Sequence, residues 1–338
     1  ISPRLINQAR FGISREPIRS IELNGGTRTA EEYGIQNVNI DDLTLGLPAF
    51  SINGFETLGA KDNIPAIIVS QNTEYSDNLD AIFNKHSLKM GFNVVFRQTN
   101  AHQAGFTRGQ FVFSTLYTSN PAAPANTGYG GADFLLGKPQ QVSVNGLVGT
   151  RGLRRSDWAA YIQDDWKVTQ KFTINLGLRY ELPMHYPHRE VAGRLLQFDI
   201  ESGLPAPVGT GKYPTQSGTP TDKNNWGPRA GFAWQVGKTT VIRSAYGIYY
   251  SMIPVHIGAS LASNPPLFLN SLVANNQNDF IGARSITQGP VRSTDPNTPG
   301  QNRTGIDPSL KIPYIQQWNF AVQQIGRASC RERVSSPV

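Results

Sequence analysis

Strict alternation of apolar and polar side chains, repeated in segment after segment, constrains this chain more than any other feature. In an extended strand residues i, i+2 and i+4 share one face, whereas a helix gathers residues three and four apart. Phe172, Ile174, Leu176, Leu178, Tyr180 and Leu182 are apolar, while the intervening Thr173, Asn175, Gly177, Arg179 and Glu181 are polar or glycine. Trp226, Pro228, Ala230, Phe232, Trp234 and Val236 stand in the same relation to Gly227, Arg229, Gly231, Ala233 and Gln235. Leu88, Met90, Phe92, Val94 and Phe96 alternate with Lys89, Gly91, Asn93, Val95 and Arg97. Weaker copies run through 5–15, 79–83, 240–250 and 314–322, and Ser156 to Trp166 adds a further strand.

Short polar connections join these strands in pairs: Asn84 to Ser87, Lys167 to Lys171, and Gly237 with Lys238. Such lengths predict hairpins. Between the pairs lie long Gly/Pro/Asn/Ser-rich stretches, Pro183 to Asn225 and Ser251 to Lys311 among them, which read as loops. Loops of that length argue against a compact domain. Their regular alternation with tight turns instead fits bacterial outer-membrane barrels, which have ~10-residue strands, short periplasmic turns and long extracellular loops. The predicted fold class is all-β: an antiparallel up-and-down transmembrane β-barrel fragment of about nine or ten strands. A soluble β-sandwich has the same alternation, because parity does not say whether lipid or protein covers the apolar face. No stretch approaches the ~20 consecutive apolar residues of a membrane-spanning helix.

Parity sorts the side chains into two sets. Trp158 and Trp166 share the apolar face of their strand with Ala160 and Ile162, and Phe172, Tyr180, Trp226, Phe232, Trp234, Tyr246 and Tyr250 complete a predicted lipid-facing or girdle set. Indole and phenol rings favour the boundary between hydrocarbon and water. The opposite parity carries Lys89, Asn93, Arg97, Asn175, Arg179, Glu181, Arg229, Gln235 and Arg243, the predicted lumen-facing set. Asp164 falls on the apolar parity, close to the Lys167 turn, where an interfacial charge costs little.

The run Asp164-Asp165-Trp166-Lys167-Val168-Thr169 followed by Phe172-Thr173-Ile174-Asn175-Leu176-Gly177-Leu178-Arg179-Tyr180-Glu181 resembles the barrel of TonB-dependent outer-membrane receptors. Within that group it is similar to the Oar-like receptors, as are Leu47-Pro48-Ala49-Phe50 with Gly54-Phe55, Lys85-His86-Ser87-Leu88-Lys89-Met90-Gly91, and Ala132-Asp133-Phe134-Leu135-Leu136-Gly137. Trp226-Gly227-Pro228-Arg229-Ala230-Gly231-Phe232 and Tyr314-Ile315-Gln316-Gln317-Trp318-Asn319 follow in the same order. The resemblance implies an N-terminal plug, a periplasmic segment pulled by the TonB complex, outer-membrane lipid as surroundings, and import or export of a large or scarce solute. The plug and the TonB-contacting segment are not visible in this chain, which starts at Ile1 without an initiator Met and reads as part of something longer.

The tail reads differently. Ile325-Gly326-Arg327-Ala328-Ser329-Cys330-Arg331-Glu332-Arg333-Val334 resembles the conceptual translation of a short-read sequencing adapter. That adapter requires Gln, Lys or Glu just before the string, and Gln324 satisfies this. The predicted organisation is therefore a partial barrel over 1–324, an adapter-like segment over 325–334, and an unassigned 335–338. Without the adapter-like segment the 31 basic and 24 acidic residues become 28 and 23, an excess of +5 that calls for no nucleic-acid partner. The one cysteine, Cys330, leaves with it, and so does any thiolate chemistry.

No catalytic constellation emerges, and neither an enzymatic activity, a cofactor nor a metal is predicted. His185 and His188 flank Tyr186-Pro187 in a loop without a further ligand. Asp164 and Asp165 are adjacent on a strand and point to opposite faces, so they cannot readily share a substrate. Gly128-Tyr129-Gly130-Gly131 lacks the Lys-Ser/Thr ending of a phosphate loop and reads as a flexible loop. The rival function is a secreted or surface β-domain that binds a polymer through its aromatics.

Overall fold

The computed structural model describes residues 4–23, 25–251, 255–298 and 300–324. The adapter-like segment, Cys330 and residues 335–338 lie outside them.

β1 (Leu5–Ser20) leads into a first long connection, residues 21–65, that carries α1 (Thr29–Glu32), β2 (Ala49–Ile52) and β3 (Leu58–Gly59). β4 (Ala66–Phe83) returns, and a two-residue turn at Asn84 and Lys85 opens β5 (His86–Gln103). Asn84 takes φ 49°, the left-handed conformation that asparagine tolerates better than most residues. The second connection, residues 104–150, contains β6 (Gln110–Phe113), α2 (Gly130–Leu135) and β7 (Gln141–Leu147). β8 (Arg151–Lys167) and β9 (Phe172–Glu190) form the next hairpin, followed by a third connection with β10 (Leu196–Asp199) and β11 (Leu204–Pro207). β12 (Trp226–Gln235) and β13 (Thr240–Tyr250) form the last. A fourth connection, residues 251–313, holds α3 (Val255–Ala259), a 3-10 turn at Ser260–Ser263 and β14 (Phe268–Ala274) before β15 (Tyr314–Gln324).

Eight strands make one antiparallel sheet in the order β1-β4-β5-β8-β9-β12-β13-β15. The alternating segments of the sequence are these eight strands, fewer among the described residues than the nine or ten expected. Among the described residues the sheet does not close on itself: β1 and β15 are its edges. All three tight turns lie at one end of the sheet and all four long connections at the other. Five strands run 16 to 19 residues, well beyond the expected ten, because their ladders continue past the apolar zone toward the loops, with Arg15, Gln71, Gln98 and Arg154 among the polar residues that follow it. β12, β13 and β15 stop at 10 or 11 residues.

The long connections are folded, which corrects their reading as loops. The stretch expected to loop from Pro183 first completes β9. The register between β8 and β9 jumps from Ser156↔Met184 to Arg154↔Arg189, so His185 through His188 form a bulge inside the strand. Strands from three connections assemble a second sheet, β14-β7-β6-β2-β3. Against it packs a core of Ala30, Ile35, Val38, Phe50, Ile52, Phe111, Phe113 and Val142, joined by Phe134 and Ile286. Phe50 stacks on Phe111 at 5.6 Å between ring centroids, and Phe113 meets Phe134 edge-on at 5.2 Å. A second core, Leu195, Val208, Leu261, Ala262 and Ile306, joins the third and fourth connections. Sequence periodicity misses this cap because its strands are only two to seven residues long and its apolar residues come from segments far apart in the chain.

Close backbone contacts finish the cap. Gly289 has φ 63°, and a Cβ there would lie 1.6 Å from the carbonyl oxygen of Gln36. Gly130 and Gly131 open α2 instead of forming a flexible loop, and a Cβ on Gly130 would lie 2.7 Å from the Ser114 carbonyl oxygen. Arg108, buried, forms an ion pair with Glu22 that ties the second connection to the end of β1.

Phe111→Ala is expected to remove about 3–5 kcal/mol from the cap. Limited proteolysis of the full-length protein should then cut residues 21–65 and 104–150, while the heat-modifiable mobility of the folded sheet persists.

Candidate functional site

The register of the eight-stranded sheet sets which side chains share a face, since directly paired residues point the same way. One row runs Leu79, Met90, Ile162, Leu178, Pro228, and β13 continues that face through Tyr246 opposite Ala230. Trp158, Trp166, Phe172, Tyr180, Trp226, Phe232, Trp234, Tyr246 and Tyr250 all share this face. Lys89, Asn93, Arg97, Asn175, Arg179, Glu181, Arg229, Gln235 and Arg243 all share the other. On the first face Leu176 is 50% exposed, Trp226 52% and Trp234 46%, so no protein layer covers it.

Aromatic rings cross every strand on that face. At the loop end Phe11, Tyr75, Phe96 and Trp158 touch in sequence at 5.0, 6.3 and 6.2 Å. Tyr180 packs on Trp226 at 4.4 Å and Tyr250 on Tyr314 at 6.1 Å, which carries the line through the remaining four strands. Their polar tips reach toward the loops: the Tyr180 and Tyr250 hydroxyls donate to the carbonyls of Lys223 and Asn224 at 3.1 and 3.2 Å, and Trp158 Nε1 donates to Ser156 Oγ at 3.1 Å. A second group lies at the turn end, where His86 stacks on Trp166 at 5.4 Å and Phe172 meets Phe232 at 6.1 Å. Trp158 and Trp166, Phe172 and Tyr180, and Trp226 and Trp234 are each eight residues apart. That is ~26 Å along a strand, or about 20 Å of height at the usual tilt, close to the apolar band of an outer-membrane barrel. Asp164, on the apolar parity near the Lys167 turn, accepts a hydrogen bond from His86 Nδ1 at 2.7 Å. Asp77, also on this face, accepts one from Asn7 at 2.6 Å.

The polar face is a ladder of ion pairs and amides. Asp157 bridges Arg97 at 2.5 Å and Arg155 at 2.9 Å. Arg179 pairs with Glu181 at 2.7 Å and donates to Asn93 Oδ1 at 3.3 Å. Asp165 accepts from Asn175 at 2.6 Å, so the two adjacent acids do serve opposite faces. The Arg229 guanidinium lies 4.6 Å from the centre of the Tyr249 ring. Lys89, Gln235 and Arg243 stand on the same face, nearer the turn end.

At the loop end the fourth connection folds over this polar face and not the apolar one. Ser260 and Ser263 enclose, with Ser70, Thr99, Leu153 and Arg151, a cavity of about 610 Å³. Arg151 donates to the Gln103 carbonyl at 2.5 Å and makes a longer contact, 3.5 Å, to Ser263 Oγ. No carboxylate lies within ion-pair distance of it among the described residues. The sequence reading missed Arg151 because a lone arginine at a strand start has no pattern.

Beyond the aromatic line, the β9 bulge buries His188 beneath α3, where a Cβ on Gly258 would come within 2.5 Å of the ring. Burial first, and the Arg155 guanidinium second, pull the His188 pKa down to about 4. Burial alone would raise Glu190, but Arg194 and the backbone N–H groups of Gly152, Arg194 and Ala192 hold its carboxyl below the ordinary value. His185 and His188 thus belong to packing within a strand. Among the described residues no group of three or more His, Cys, Asp or Glu gathers at metal-binding distance.

An open antiparallel sheet with one uncovered apolar face, aromatic lines bounding it and a polar face beneath a cap defines an outer-membrane barrel architecture. The family model of the outer membrane beta barrel domain matches residues 1–328, and the chain belongs to that family, which places it in the bacterial outer membrane. No curated protein and no solved structure matches the chain. No helix among the described residues is long and apolar enough to cross a membrane, which says nothing of a β-barrel.

Leu176→Arg, midway between the aromatic lines, should cost about 2–4 kcal/mol in equilibrium unfolding from lipid vesicles, against little for Gln163→Arg on the opposite face. A second expectation concerns acid. His188 binds its proton more weakly folded than unfolded, so the stability contributed by its neutral form is present above pH 6.5 and is lost as pH falls toward about 4. Hydrogen exchange at the β9 bulge should rise through that window, and His188→Phe should remove the histidine's part of the rise.

Proposed function

We propose that this chain is barrel from a TonB-dependent outer-membrane transporter of the Oar-like kind, moving a solute too large or too scarce for passive pores. The carrying observation is the cap: all four long connections gather at one end and one of them folds over the polar face, forming a cavity to which Arg151 and four hydroxyls contribute beside Ile68, Leu153 and Phe268. A cap that closes over the polar face leaves the other face free for lipid, so the nine polar-face residues line the lumen and the aromatic set forms the girdles. The end with tight turns is periplasmic and the capped end extracellular.

Solute is captured by the cap and passes along the polar ladder when a plug inside the barrel is pulled by the TonB complex. The ordered motifs from Asp164-Asp165-Trp166 to Tyr314–Asn319 support the energy-coupled version over a passive pore. The protein's part is binding and passage, with no covalent chemistry.

In cells producing the full-length protein, loss of TonB or collapse of the inner-membrane proton gradient should abolish the same uptake that deletion of the gene abolishes. Uptake that survives both treatments would reject energy coupling and leave an outer-membrane barrel. In planar bilayers the full-length protein should show no steady conductance in potassium chloride, and a constant pore current would equally oppose a plugged transporter.

A further inference from the structure

Above the aromatic line the apolar face of the sheet carries a row of cations and amides that the transport reading does not use. Following the register across five strands, Arg15 faces Gln71, Gln71 faces Gln98, Gln98 faces Arg154, and Arg154 faces Arg189. All five lie on the same face as Phe11, Tyr75 and Trp158. Arg15 is four residues beyond Phe11, and Arg154 four beyond Trp158 on the loop side, ~13 Å along the strand. At the usual barrel tilt this is about 10 Å above the rings, the level of headgroups and not of acyl chains.

The pairing of Arg154 with Arg189 is the informative part. Like charges directly opposite across a strand pair destabilise it. Arg154 donates to Asn100 Oδ1 at 3.0 Å and to its neighbour's carbonyl, Leu153 O, at 2.9 Å. Neither arginine, nor Arg15, has a carboxylate within 4.0 Å among the described residues. The nearby acid, Glu190, pairs opposite Leu153 and so lies on the other face, where Arg194 and backbone N–H groups occupy it. Two guanidiniums side by side, flanked by amide donors, match the oxygens of a phosphate monoester, which each guanidinium can hold bidentately.

We infer that the Arg15–Gln71–Gln98–Arg154–Arg189 row binds a phosphate monoester on a lipid headgroup in the outer leaflet. The site rests on assigning the aromatic-bearing face to lipid and is independent of transport. It seats the barrel at a fixed height, with rings at the hydrocarbon boundary and arginines among phosphates.

The full-length protein would be refolded into phosphatidylcholine bilayers containing bis-phosphorylated lipid A, or dephosphorylated lipid A, and lipid retained after detergent extraction counted by native mass spectrometry. Retention of the phosphorylated form should exceed the dephosphorylated form on the order of tenfold, from the few-fold that each interfacial arginine contributes. Arg154→Gln with Arg189→Gln should cut that excess to the few-fold that Arg15 still supplies, and inorganic phosphate at matched ionic strength should not displace the lipid. Equal retention of both forms by the unaltered protein, or displacement by inorganic phosphate alone, would overturn the site. Should the double variant fail to fold, Arg15→Gln on the edge strand supplies the comparison, with a smaller loss expected. Quenching of tryptophan fluorescence by brominated acyl chains, read on the same samples, separates the failures. Quenching with equal retention rejects only the phosphate site, and absence of quenching rejects the lipid face and the site together.

Discussion

A backbone surrounded by hydrocarbon must find every hydrogen-bond partner within the protein, and the rest of this structure follows from how the chain meets that demand. Antiparallel pairing satisfies the N–H and C=O groups between strands and leaves side chains as the only surface presented to either side. Because successive side chains alternate, one sequence can offer Leu176, Leu178 and Trp234 to one medium and Asn175, Arg179 and Arg243 to another. Seven ladders join the eight strands, and among the described residues β1 and β15 each keep one edge unpaired. Such edges are tolerated in lipid only when further strands cover them.

Height is encoded on the same strands. β12, β13 and β15 begin or end on Trp226, Tyr250 and Tyr314, so for these strands the aromatic line is also the end of the ladder. The neighbouring strands continue past it, bring Arg15, Gln71, Gln98 and Arg154 onto the outer face, and carry the cap. The cap needs a core of its own because no bilayer covers it: Phe50, Phe111 and Phe113 are buried there as in any water-soluble domain, while rings on the sheet below stay exposed. One chain therefore holds two opposite arrangements of apolar surface, inward above the line and outward below it.

What was legible in the sequence followed from period. Each of the eight long strands has a run of alternating residues, the tight turns fall between them, and both nine-residue sets separate onto opposite faces as parity requires. Parity also put Asp164 and Asp165 on opposite faces. It did not reveal that His86 would meet Asp164 or that Asp157 would sit between Arg97 and Arg155, since those contacts depend on which strand lies alongside. The β9 bulge was hidden for a related reason. His185 to His188 read as a loop because they fall in the proline-punctuated stretch that starts at Pro183, and only the resumed pairing at Arg189 shows the strand continuing.

By itself, then, the order of residues determined that the chain forms two-faced strands, where it turns tightly, and which side chains travel together, because these depend only on neighbours two to five positions away. Tertiary structure alone decided that the long connections fold into a second sheet, that one of them covers the polar face around Arg151, and that Arg15, Arg154 and Arg189 fall into a single row. Those outcomes join residues more than a hundred positions apart, and the register that brings them together is a property of the assembled sheet, which local alternation does not contain.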